Sequence, residues 1–324
     1  MSIQICSRDE GVLGSVHNLI AEVGIDFARK NAVSKSEVQC VEAAQAVMFD
    51  DAQNMNILHS GFALTALPHR KSDETAYVRT GGQNNEIILR VETGYEANST
   101  PIGIPYGSVA RLILIYLSTE AVKNNSRVVE LGAHMSDFLD RVGIQKSGKS
   151  RELVREQARR ISACRLTFYA EKQQKTPVMN GSFVRTAVIL DKTDGQPRLW
   201  NDTVELDEAF YKSLTDHPLP LREAAVRELS GKSLALDIYI FLAYRLHVLE
   251  KPISISWTAL YKQFGAGYDQ KRYFVARFKD PLSLALAVYP EARVDVDETG
   301  LTLFPSPSPV PKAKFPKFRF KALG

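Results

Sequence analysis

Residues 143–150 read GIQKSGKS, and two folds compete for them. Gly143, four further residues, then Gly148-Lys149-Ser150 is the spacing of a phosphate-binding P-loop. There, backbone amides cradle phosphates, the lysine reaches the β/γ-phosphates and the serine holds Mg²⁺. A P-loop, however, turns from a buried strand into a helix N-terminus. Just upstream, HMSDFLDRVG places Met135, Phe138, Leu139 and Val142 at i, i+3, i+4 and i+7, so the spacing predicts a helix that Gly143 ends. Downstream, a second helix is predicted from near Ser150 to about Ala163, with Leu153, Val154, Ala158 and Ile161 facing the core. AVILD at 187–191 imitates the strand-plus-Asp that accompanies a P-loop, but the serial βα units of a parallel sheet are missing. The octet therefore reads as the turn of a helix-turn-helix, with Gly143, Gly148 and Ser150 as turn and cap residues. That turn presents Lys146 and Lys149 to phosphates.

Working outward, Ser108 can cap a strong helix carrying Leu112, Ile113, Tyr116 and Leu117, and an extended run follows from Arg127 to Leu131. After the paired helices come two strand-like runs, CRLTFYAE and FVRTAVILD, joined by a polar loop with Asn180-Gly181 near its end. Helix, strand, helix, turn, helix and hairpin is the order of a winged helix. The order recurs. Residues 233–249 form an apolar helix, PISIS is a short strand, and SWTALYKQFG is a helix capped by Ser256 and stopped by Gly265. YDQKRYFVARFK is a further helix, interrupted at Asp280-Pro281, and ARVDVDETGLTLFP is a hairpin turning at Glu298-Thr299-Gly300. Residues 1–40 read as a weakly specified helical extension, and FALTAL, AYVRT and EIILRVE as strands.

The expected fold class is α+β: two tandem winged-helix modules, each a helix-turn-helix plus β-hairpin wing, with an N-terminal extension. The expected boundaries are 1–100 for the extension with short strands, 101–206 for the first module and 207–231 for a helical connector. The second module is expected at 232–310 and a basic tail at 311–324.

Bulk properties narrow the function. The chain has 324 residues, 44% apolar and 24% charged, ordinary for a globular protein. No apolar run nears the ~18–20 residues of a membrane span, and MSIQICSRDE lacks the architecture of a signal peptide. Cys6, Cys40 and Cys164 are few, odd in number and far apart, which argues against disulfides or a cysteine zinc site and for a reducing cytoplasm. Six scattered histidines offer no metal cluster, and Asp295 to Gly300 opens like an EF-hand loop but has Ser306 where the closing glutamate belongs. No nucleophile, metal site or cofactor motif is visible, so the expectation is a non-enzymatic protein without cofactors.

The net charge of +4 is unevenly placed. Lys312, Lys314, Lys317, Arg319 and Lys321 carry the tail without a single acid, as candidate DNA-backbone contacts. Residues 143–175 hold nine Lys/Arg against three Glu. Arg151, Arg155 and Arg159 share one helix face at i, i+4 and i+8. With Lys146, Lys149 and Arg160, and with Lys172 and Lys175 on the wing, they form a candidate DNA surface, because the second helix of a helix-turn-helix enters the major groove. In the second module Lys271, Arg272, Arg277 and Lys279 stand over Phe274 and Phe278 in the same way.

The stretches GIPYGSVARLILIYLSTEAV, VREQARRISACRLTFY, RLWNDTVELDEAFY, ALDIYIFLAYRLH, ISWTALYKQFGAGY and VYPEARVDVDETGLTLFPSP run in order along the chain. With LHSGFALTALPHR and RVVELG, they resemble the plasmid-encoded RepA replication initiators, from about residue 58 to 308. The resemblance implies winged helices that bind double-stranded DNA at repeats of a plasmid origin and help recruit host initiator and helicase proteins. It also implies repression of the protein's own promoter and leaves room for a homodimer. A dedicated transcriptional repressor of similar fold is the nearest alternative, and a P-loop ATPase using Gly143–Ser150 the alternative from another class.

Overall fold

The computed structural model describes residues 15–82, 87–131, 135–170, 177–185 and 203–311. Three helices open it: α1 (Ser15–Val23), α2 (Ile25–Asn31) and α3 (Lys35–Met48). Ser34 caps α3 by accepting the Glu37 amide, while the Glu37 carboxylate reaches back to the Val33 amide, close to a capping box. Strand β1 (Met55–His59), the single-turn helix α4 (Gly61–Leu64), β2 (Ala76–Gly81) and β3 (Ile87–Glu92) follow. Next come α5 (Gly107–Lys123), β4 (Val128–Glu130), α6 (Met135–Arg141), α7 (Gly148–Ala163), β5 (Arg165–Ala170), β6 (Pro177–Ser182) and β7 (Thr203–Glu205). The chain continues with α8 (Glu208–Asp216), β8 (Pro218–Arg222), α9 (Glu223–Glu228), α10 (Ser233–Arg245) and β9 (Ile253–Ser256). It closes with α11 (Trp257–Phe264), α12 (Lys271–Ala287), β10 (Val294–Val296) and β11 (Gly300–Leu303).

These elements sort into two compact units that cut across the boundaries drawn from the sequence. Among the described residues, one unit runs from Asn56 to Leu219 and the other combines residues 15–55 with residues 220–311. The 1–100 extension is thereby divided, because its parts find their apolar partners in different places. Helix α3 packs on α9 and α12, whereas β2 and β3 complete a sheet with β5 and β6.

In the Asn56–Leu219 unit, the antiparallel sheet has the order β2-β3-β5-β6, and β4 pairs separately with β7. Leu89, Val91, Leu166 and Phe168 point inward from β3 and β5. Helix α5 is buried nearly all round and is the unit's hydrophobic axis, packed by α7 and α8. Its single buried cation, Arg111, donates to the carbonyls of Leu67 (2.6 Å), Pro68 (3.2 Å) and Gly107 (2.8 Å), which compensates the cost of burying a charge. FALTAL, read as a strand, instead makes the α4 turn, closed by Thr65 Oγ1 donating to Gly61 O at 2.8 Å. Short apolar runs do not distinguish helix from strand by period. The partner of β5 is also not the run expected: β6 is drawn from PVMNGS, and Gly181 lies within the strand opposite Leu166. The Asn-Gly pair is therefore not a turn. Of the expected strand FVRTAVILD, residues 186–191 lie outside the described residues, and Val184 bridges Leu206.

In the second unit, α10 is likewise buried all round, and β10-β11-β9 form a three-stranded antiparallel sheet. Asp297 Oδ1 accepts the Thr299 and Gly300 amides, which closes the β10–β11 turn where the sequence places it. Helix α12 runs unbroken through Pro281, against the interruption read from Asp280-Pro281. Phe274, Phe278, Leu282 and Ala285 along one side anchor it on both flanks of the proline. No helix among the described residues is long and apolar enough to cross a membrane, and none of their His, Cys, Asp and Glu side chains group as metal ligands.

His59 is fully buried in the first unit, stacked on Phe168 at 4.8 Å. Its Nδ1 accepts the Gly61 amide (3.0 Å), so Nε2 carries the proton and donates to Ser213 Oγ (2.8 Å). Burial, aided by His217 nearby, holds its pKa down to about 3. A folded-state value below the unfolded 6.5 means protonation favours unfolding. Its stabilising contribution is complete above pH 6.5 and is lost as pH falls towards 3, by up to roughly 1.4 kcal/mol per pH unit. Urea unfolding from pH 7 to 4 should show a steeper loss of stability in wild type than in His59→Gln; parallel slopes would exclude this titration.

Candidate nucleic-acid interface

The α6–α7 junction is built by hydrogen bonds that the sequence foreshadows. Gly143 has φ +69°, a left-handed conformation that suits glycine. Its amide donates to Asp140 O (3.2 Å) and the Ile144 amide to Leu139 O (2.8 Å), a Schellman closure of α6. The cap of α7 is Ser147, whose Oγ accepts the Ser150 amide at 3.0 Å; Ser150, expected near the cap, lies inside the first turn. The chain enters the octet from helix α6 rather than from a strand, unlike the geometry of a P-loop.

Helix α7 is then rotated into place by its polar inner side. Gln157 Oε1 accepts the Tyr106 amide at 2.8 Å. Arg160 Nη1 donates to Ile104 O (3.0 Å), its Nε and Nη2 bind Glu156 Oε1 (3.1 and 2.9 Å), and its guanidinium lies over the Tyr106 ring at 5.2 Å. Burial, with the Glu156 carboxylate beside it, raises the Tyr106 phenol above its usual range. Gly103, at φ +100°, is the contact point: a Cβ there would stand 2.1 Å from Arg160 Nη1.

The outer side carries the predicted cations. Lys149, Arg151 and Arg155 are exposed, and their side chains have no ionic or hydrogen-bond partner among the described residues. Lys146, in the turn, pairs with Asp140 at 2.6 Å, and Arg159 pairs with Glu96. Arg160 is not on this surface: with its side chain 7% exposed it is structural, because the residue following Arg159 on a helix turns inward beside Gln157 and Ile161. Lys172 and Lys175, and the tail cations Lys312, Lys314, Lys317, Arg319 and Lys321, lie outside the described residues.

In the second unit, Phe274 and Phe278 key α12 into a ring cluster with Trp257, Tyr261 and Phe264. That packing leaves Lys271, Arg272, Arg277 and Lys279 exposed. Lys271 Nζ donates to Thr258 Oγ1 (3.1 Å), and Arg272 lies over the exposed Tyr273 ring at 4.7 Å.

The segment carrying α5 to β9 shows kinship to known proteins. Residues 104–258 match the family of plasmid-encoded RepA proteins. Two solved structures of RctB align with the chain. Domains 2–3 align at 12% identity with a TM-score of 0.47, covering 74% of this chain and 93% of that one. Selenomethionine derivatives of domains 2 and 3 align at 12% identity with a TM-score of 0.45, covering 75% and 96%. No curated protein matches the chain significantly.

Within the RepA-matched region, sequence reasoning found the turn, the cap region and the outer arginines. It missed Glu96, for which there was no signal, since the loop that carries it lies more than 60 residues before Arg159 in the chain. Tyr273 was readable, as an aromatic among the cations that open α12.

The two arginine environments predict different losses. Arg160→Ala removes a buried guanidinium with three protein partners and should lower unfolding stability by about 2–4 kcal/mol. Arg155→Ala should stay within about 0.5 kcal/mol of wild type. Urea titration of both variants checks this; equal midpoints would place Arg160 on the surface after all.

Proposed function

We propose that this protein is a plasmid replication initiator that binds double-stranded origin repeats through two winged-helix modules, with α7 and α12 as recognition helices. The observation that carries the reading is the outer side of α7. Lys149, Arg151 and Arg155 stand unpartnered among the described residues on a helix whose opposite side is locked by Gln157 and Arg160. Arginine forks there match guanine O6/N7 or phosphate oxygens. The order α10, β9, α11, α12, β10, β11, with sheet order β10-β11-β9, supports a winged helix in the second unit. In the first, α5, β4, α6, α7, β5 and β6 follow the same order, the hairpin being absorbed into a four-stranded sheet. The RepA match supports the plasmid role.

On this reading the protein works without catalysis or a cofactor, in the cytoplasm. Recruitment of host initiator and helicase proteins, repression of its own promoter and a homodimeric form belong to the same proposal. A dedicated repressor would use the same helices; dependence of plasmid maintenance on the protein separates the two. The ATPase reading finds little support, because helix α6 occupies the place of the P-loop strand.

A DNase footprint on the plasmid's own origin is the direct test, and absence of protection would overturn the proposal. Arg155→Ala should cost about 1–3 kcal/mol on the protected site and much less on random duplex. Lys149→Ala should weaken both alike, as a phosphate contact does, and should reduce the slope of log K against log salt by about 0.9. Deleting the tail, residues 311–324, should flatten that slope by up to ~0.9 per lost contact without changing the preferred sequence.

A further inference from the structure

We infer that Glu96 determines the specificity of the α7 surface: its carboxylate holds Arg159 with the guanidinium fork available to a neutral base edge and disfavours a phosphate in that place. The inference rests on the DNA-binding reading above. Three observations support it.

First, Glu96 is fixed in position. Its loop is a small closed hairpin in which the Glu96 amide donates to Thr100 O and the Ser99 amide to Glu96 O, each at 2.9 Å. The Thr100 amide donates to Asn98 Oδ1 at 3.1 Å, and Tyr95 bridges Pro101. The base of the loop is tied by the Ile102 amide to Gly94 O (2.9 Å) and by the Gly103 amide to Thr93 Oγ1 (2.7 Å). Gly94 lies directly against the end of α7, where a Cβ would meet Ala163 O at 2.4 Å. The carboxylate is thus stationed beside the helix by backbone bonds at both ends of its loop.

Second, the pair sits where it matters. Arg151, Arg155 and Arg159 share a face; the first two are unpartnered among the described residues, while Arg159 is bound by Glu96 yet its side chain is still 61% exposed. At the other end of the surface Lys146 is bound by Asp140. Two carboxylates therefore bracket the free cations. None of Lys271, Arg272, Arg277 and Lys279 on α12 has a carboxylate partner among the described residues.

Third, the chemistry discriminates between ligands. A guanidinium has five N–H donors, more than the single Glu96 carboxylate, met here through Nη2, can take up. A guanine edge is neutral and can take the remaining donors while the ion pair stays intact. A phosphate must displace Glu96 or lie beside its negative charge. The carboxylate is thus a repulsive element against non-specific backbone contact, the usual way a binding surface gains specificity at the expense of raw affinity.

The test compares wild type, Glu96→Gln, Arg159→Ala, Arg159→Lys and Glu96→Gln/Arg159→Ala on an origin-repeat duplex and a random duplex across a salt series. Glu96→Gln should tighten random binding about three- to tenfold and steepen its salt slope by about 0.9, while specific binding holds or weakens. Arg159→Lys, which keeps the charge without the fork, should retain random binding and lose specific binding about tenfold or more. In the Arg159→Ala background, Glu96→Gln should cause no further loss of selectivity. Glu96→Gln shifting both duplexes equally, or neither, would overturn the inference, and so would an Arg159→Lys protein of unchanged selectivity. Wild type that binds neither duplex would overturn the DNA-binding reading itself, a different outcome from all of these.

Discussion

The orientation of α7 depends on a polar brace beneath it. Gln157 and Arg160 bind the backbone of residues 104–106, and those residues lead directly into α5, the buried axis of their unit. The brace is directional, unlike an apolar contact. Sliding α7 by one residue would turn its inner side by about 100°, leaving Ile104 O unpaired and burying the guanidinium without its acceptors. Apolar packing by Val154, Ala158 and Ile161 would tolerate small rotations that these bonds do not. The outward direction of Arg151 and Arg155 is therefore a consequence of what Arg160 does one helical step away.

Helix α12 reaches the same end by different means. Its inner side is held by Phe274 and Phe278 among other aromatic rings, and Trp257 Nε1 donating to Asp297 O (3.1 Å) links α11 to the turn of the β10–β11 hairpin. The ring cluster is large enough to carry the helix past Pro281, where one backbone hydrogen bond is forfeited. Apolar anchoring leaves the cations of α12 without a carboxylate partner among the described residues, whereas the polar surroundings of α7 bring carboxylates close to its cations. The two surfaces share a charge pattern but not an electrostatic setting.

What was legible in the sequence follows from range. The helices α5, α6, α7, α10 and α11, the Gly143 stop, the Ser256 cap and the β10–β11 turn are set by residues a few positions apart, and their patterns can be read locally. The β3–β5 pairing at the centre of the four-stranded sheet was not legible, because it joins residues about 80 apart and nothing in either run names the other. The same holds at the site. Arg151 and Arg155 announce themselves by spacing, but Arg159 differs from Arg160 only by one step of rotation, and their different fates depend on Glu96 and Ile104, distant in sequence. Asp280-Pro281 misled for the opposite reason: a strong local signal was overridden by packing on both sides of it.

The octet GIQKSGKS shows how one string can satisfy two motifs without serving both. In a P-loop, glycines are needed where backbone approaches phosphate closely. Here Gly143 is used for its left-handed φ, to turn the chain out of α6, and Gly148 is not sterically required at all, since a Cβ there would meet nothing within 4 Å. Ser150, which would hold Mg²⁺ in a P-loop, instead donates its amide to Ser147 Oγ and shares a hydroxyl contact with it at 2.8 Å. Lys149 alone keeps a role common to both readings, an exposed cation at the start of a helix. What separates the readings lies outside the eight residues, in whether the chain arrives from a strand or a helix; it arrives from α6, and the amphipathic spacing of Met135, Phe138, Leu139 and Val142 encodes that choice.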